Sequence, residues 1–134
     1  MEDTSTEDRG DGTAVDALAE RLLGAARSGD AETLAAYVDA GVPVDLAATT
    51  GDTLLMLAAY HGHPSAVAAL LARGADPERA NERGQTPLAG AVFKGYVEVI
   101  DALVAAGANP DAGQPSARAT AAMFERDDLL ARFG

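Results

Sequence analysis

Glycines recur in this chain at an interval of 33 residues: Gly29, Gly62 and Gly95 form one series, and Gly41, Gly74 and Gly107 another. Between the two series lie apolar doublets spaced four apart, Thr33-Leu34 with Tyr37-Val38, Ala66-Val67 with Leu70-Leu71, and Val99-Ile100 with Leu103-Val104. Residues at i, i+1, i+4 and i+5 share one face of a helix, so each doublet set predicts a one-sided helix. The glycine after it is expected to act as a left-handed cap. In "GADP" (74–77) and "GANP" (107–110) a nearby proline stops any continuation. A shorter helix is expected before each first glycine, in "GDTLLMLAAYHG" (51–62) and "GQTPLAGAVFKG" (84–95). Thr53 and Thr86 can cap it, and Pro87 stands at the first helical position, where its missing N–H costs nothing. Ala58-Ala59 and Ala91-Val92 give these helices a thin inner face that permits close approach. The loop between units is expected to close in a β-turn such as Asn81-Glu82-Arg83-Gly84. One such unit cannot bury its apolar face alone, whereas a stack of them can.

The segment "GQTPLAGAVFKGYVEVIDALVAAGANPD" (84–111) resembles the ankyrin repeat family, following its G-x-T-P-L-x-x-A start, turn glycine, apolar-doublet helix and G-A-D/N end. Residues 51–78 follow it with Leu54 in place of the proline. The first copy keeps Ala25-Ala26, Gly29 and Gly41 but has Leu18 where the β-turn glycine would stand, as in an N-terminal capping repeat. The last, "PSARATAAMFERDDLLARFG" (115–134), fits at a spacing of 30 and resembles a C-terminal cap, with Ala121-Ala122, Leu129-Leu130 and Phe133 in the apolar positions. The resemblance implies an all-α solenoid of helix-turn-helix units with β-turn loops, about four repeats including the caps. They are expected near 15–47, 48–80, 81–112 and 113–134, in a domain over 13–134. One departure is that Met56 and Ala89 occupy positions where family members often carry a histidine, so the associated polar network is expected to be missing. The alanine-rich, histidine-poor style is similar to small bacterial members.

Composition narrows the function classes. Hydrophobic residues make up 48% of the 134 but aromatics only 4%, which suits closely packed helices rather than a wide core. There is no cysteine, so disulfide and thiol chemistry are excluded, and a cytoplasmic, monomeric protein is the expectation. Net charge is −11 with no basic stripe, which argues against nucleic acid, and no stretch reaches the length of a membrane span. The start "MEDTSTEDRGDG" is acidic where a secretory signal would be basic and then apolar. Residues 1–12 are therefore expected to be a disordered acidic leader. Deleting them should leave the melting temperature unchanged, and a drop of several degrees would show that they dock on the stack.

A search for chemistry finds little. His61 and His63 flank Gly62, but this spacing lacks a third ligand, and the plainer expectation is that His63 bonds backbone at the turn while His61 lies on the surface. The serines, at 5, 28, 65 and 116, lie in no nucleophile elbow, and "GDG" (10–12) follows no strand. Asp127-Asp128 fits the first turn of the last helix, where negative charge complements the dipole. No catalytic residue, metal or cofactor is expected.

The resemblance implies instead a concave groove, lined by β-turn tips and inner helices, that binds a partner protein. Carried over by position, its residues are Thr49, Thr50, Asp52, Tyr60 and His61 in the second repeat and Glu82, Arg83, Gln85, Phe93 and Lys94 in the third. The first repeat adds Arg27 and Ser28, the last Met123 and Phe124. Tyr60, Phe93 and Met123 then form one row across consecutive repeats, as a protein hot spot would, or else merely cover the helix ends. Asp101 and Arg73 fall on the opposite face. The expected function is a non-enzymatic interaction module, an adaptor able to modulate an enzyme or complex. The alternatives are a structural subunit of a larger assembly or, less favoured, a metal-dependent enzyme using His61 and His63.

Overall fold

The chain starts each of its inner helices beyond the first on a hydroxyl side chain, and the rest of the architecture follows from that repeated start. The computed structural model describes residues 16–134. The expected leader over 1–12 lies outside them. Helix α1 covers residues 16–28 and is followed by α2 (Ala31–Asp39), α3 (Leu54–Tyr60), α4 (Pro64–Ala72), α5 (Pro87–Lys94), α6 (Val97–Ala105), α7 (Ala117–Met123) and α8 (Asp127–Arg132). Thr53 accepts a hydrogen bond from the Met56 N–H, Thr86 from Ala89 and Ser116 from Ala119, so α3, α5 and α7 begin identically. No strand forms among the described residues, only isolated bridges such as Ala47 with Thr53.

Odd-numbered helices form an inner row in which α5 packs on α3 and α7, and even-numbered ones an outer row in which α4 packs on α2 and α6. The core lies between the rows. Leu22, Leu55 and Leu88 fill it from inside, and Leu34, Leu70, Leu103 and Leu129 from outside, all nearly or fully buried. Each such leucine contributes about 1.5–3 kcal/mol by leaving water. The doublet positions expected from the sequence are the ones that turn inward. Leu18, by contrast, lies within α1 and is half-buried, so the first unit opens with helix where the middle units have a β-turn.

Polar contacts also join adjacent repeats. Asn81 Nδ2 donates to Asp52 Oδ1 at 2.8 Å and the Glu82 N–H to the Thr50 carbonyl at 3.0 Å, joining adjacent turn tips. On the other side Arg73 pairs with Asp39 at 2.9 Å and Arg132 with Asp101 at 2.7 Å, joining adjacent outer helices. Between the helices of each pair, one further contact recurs. A Cβ added at Gly62 (φ +79°) would lie 2.9 Å from the Tyr96 ring, and Gly29 receives His63 in the same way. These glycines thus supply both a left-handed turn and room for the next repeat.

In the last unit Glu125 occupies that turn position, with φ +55°. An L-residue there costs roughly 1–2 kcal/mol, partly offset by the extra freedom that glycine gives the unfolded chain. Glu125→Gly is therefore expected to raise the melting temperature by a few degrees. An unchanged or lower value in a calorimetric scan would mean that the Glu125 side chain compensates the turn.

Candidate functional site

The inner helices end at equivalent places, and their last residues come together on the concave face. By the repeat spacing Arg27, Tyr60, Phe93 and Met123 are equivalent, as are Ser28, His61, Lys94 and Phe124. Three large apolar side chains are exposed among the described residues, Phe93 (53%), Met123 (65%) and Phe124 (47%), and all three belong to these two rows. The Phe93 and Phe124 ring centroids are 5.7 Å apart at a tilt of 56°.

A cleft of about 480 Å³ opens on this face. Tyr60, Phe93, Met123 and Phe124 form its apolar walls, with Arg83 and Gln85 on its polar side. Gln114, Pro115, Thr120 and Ala89 complete it. These four were not picked out by sequence reasoning. Gln114 and Pro115 come from the shortened loop before α7, and only the 30-residue spacing of the last unit could have signalled them. Next to Ala89, Gly90 lets α3 approach α5 closely, since a Cβ there would lie 2.8 Å from the Met56 methyl and 3.3 Å from the Tyr60 ring.

The remaining expected residues divide by what they already do. Thr50 donates its hydroxyl hydrogen to Asp52 Oδ2 at 2.7 Å, and Asp52 also receives Asn81, so this pair is committed to holding turn tips together. Thr49 and Glu82 are exposed at the tips. The Lys94 ammonium lies 5.1 Å from the Tyr60 ring centroid, a cation–π arrangement, and borders a smaller cleft with Phe93, Phe124 and Arg126. Ser28 bonds its own helix at the Ala25 carbonyl.

His63 takes the turn position as expected, its Nε2 lying 2.7 Å from the Arg27 carbonyl of the preceding repeat. His61 is exposed and stands edge-on to Tyr60, with centroids 5.6 Å apart. Partial burial, and then the charges of His63, Arg27 and Lys94, hold its pKa below the ordinary histidine value. The two rings are committed to different contacts, and no cluster of three or more His, Asp or Glu suited to a metal occurs among the described residues. Asp127 and Asp128 lie in the first turn of α8, and the hydrogen-bonded Arg126 keeps the Asp128 carboxyl below the usual range.

Arg73 and Asp101, expected on the opposite face, each form an ion pair between adjacent outer helices, with Asp39 and Arg132. Among the described residues, no helix is long and apolar enough to cross a membrane.

A family model for ankyrin repeats, in three copies, matches residues 22–114. No curated protein matches the chain.

Proposed function

From the premise that this chain belongs to the ankyrin repeat family, we propose that it binds one partner protein along the concave groove between its second and fourth repeats. Ankyrin repeats are generally protein-interaction modules, typically without catalytic activity. The observation that carries the finer reading is the confinement of the exposed large apolar side chains, Phe93, Met123 and Phe124, to one cleft rimmed by polar groups. Exposed apolar surface of this kind gains by being covered, and aromatic anchors with polar neighbours dominate interface energetics. The stack supplies a preformed surface, so a partner meets little ordering cost on the side of this chain.

The bound partner would be an enzyme or complex whose activity the module alters, in the cytoplasm, a setting supported by the absence of cysteine. Affinity capture from native lysate, run in parallel with the intact chain and with a Phe93→Ala/Met123→Ala variant, tests the reading. A protein held by the first and lost from the second is the expected result. Equal recovery by both would place the binding surface elsewhere.

A further inference from the structure

The charges of the groove run against those of the chain. The whole sequence carries −11, yet Arg83 and Lys94 border the clefts around Phe93, Arg27 is expected in the same row by its repeat position, and none of the three is in an ion pair among the described residues. The four ion pairs that do form lie on the outer helices and in the last repeat and its loop: Arg73–Asp39, Arg118–Asp111, Arg126–Asp128 and Arg132–Asp101. Against the three cations stand two acids of the expected groove residues: Asp52, which keeps its charge while accepting from Asn81 and Thr50, and Glu82, exposed at its turn tip, so the set stays net positive. The cations also flank apolar surface: Arg83 lines the cleft with Phe93 and Met123, and Lys94 lies against Tyr60.

We infer that the groove takes an acidic segment of a partner protein, one that seats an aromatic or branched aliphatic side chain among Phe93, Met123 and Phe124 and sets carboxylates against Arg83 and Lys94. This deepens the groove reading and rests on it. A carboxylate beside a partly desolvated cation gains a charge-assisted hydrogen bond, while an apolar anchor next to it excludes water. A basic segment would be drawn toward the chain by its net charge but would meet Arg27, Arg83 and Lys94 there, which outnumber the carboxylates of Asp52 and Glu82. Screening favours the acidic segment, because at physiological ionic strength long-range repulsion fades within about 8 Å while contact pairs persist.

The test is selection from a displayed library of random dodecapeptides on the full chain. Enriched peptides are expected to be net negative with at least one large apolar residue. Their affinity should fall at least tenfold both for Phe93→Ala and for Arg83→Glu/Lys94→Glu, with circular dichroism showing each variant folded. Enrichment of basic or uncharged peptides that still require Phe93 overturns the acidic assignment and leaves the groove reading intact. Binders indifferent to Phe93→Ala overturn the groove reading itself, and no enrichment overturns the inference. An affinity that rises tenfold when residues 1–12 are deleted would show that the chain's own acidic leader is the occupant, against a partner segment.

Discussion

Leu103→Ala lowers the stability of this fold by about 2–5 kcal/mol, the cost of a buried leucine replaced by a cavity. Leu103 is fully buried on α6, a helix that packs on α4 and on α8 in the outer row. Leu70→Ala on α4 is expected to behave alike, for it occupies the same place one repeat earlier with the same burial. Each repeat of a stack is stabilised mainly by its neighbours, and domains of this size have little stability in reserve. The melting temperature should fall by about 10 °C or more, and either variant can unfold outright. Thermal melts by circular dichroism decide it. Two variants melting like the wild type would mean that the doublets do not form the core.

Phe93→Ala weakens partner binding by at least about 2 kcal/mol, roughly thirtyfold, with the fold unchanged. The ring is 53% exposed and makes its cross-repeat contact with Phe124, itself exposed, so its loss leaves the core intact. Tyr60→Ala also weakens binding, but its half-buried ring lies beside Gly90 and under Lys94, so part of its effect falls on the stack. Arg83→Glu should act mainly on the association rate and its salt dependence. Suitable controls on the outer face are Glu98→Gln and Ala105→Ser, both exposed, rather than the ion-paired Asp101 and Arg73. Titration calorimetry with the captured partner reads these changes. Full affinity in the Phe93 variant together with loss in the controls would assign binding to the outer helices.

The features that were legible in the sequence are those written locally and then repeated. Thr53 and Thr86 announce helix starts because a cap is a bond across three residues, and Leu70 and Leu103 announce the core because helical period alone sets their face. The row of Tyr60, Phe93 and Met123 was also legible, since equal register in equal units puts side chains in line. What was hidden depends on how units sit against each other. Arg73 reaches Asp39 across 34 residues of sequence, and nothing near either residue signals the pair. The commitment of Asp52 to Asn81 is hidden for the same reason. Glu125 conceals a turn that elsewhere is marked by glycine, and the shortened loop that brings Gln114 and Pro115 into the cleft breaks the 33-residue rule.

Methionine methyl resonances test the central claim most directly, because the chain has three methionines, Met1, Met56 and Met123, in separate settings. Met123 is 65% exposed in the cleft, Met56 is buried with its methyl close to Gly90, and Met1 belongs to the expected acidic leader. In a carbon–proton spectrum of methyl-labelled protein, adding the captured partner should shift or broaden the Met123 signal strongly, with a smaller change at Met56 and none at Met1. A saturated complex in which the Met123 signal stays unmoved would contradict binding in this groove.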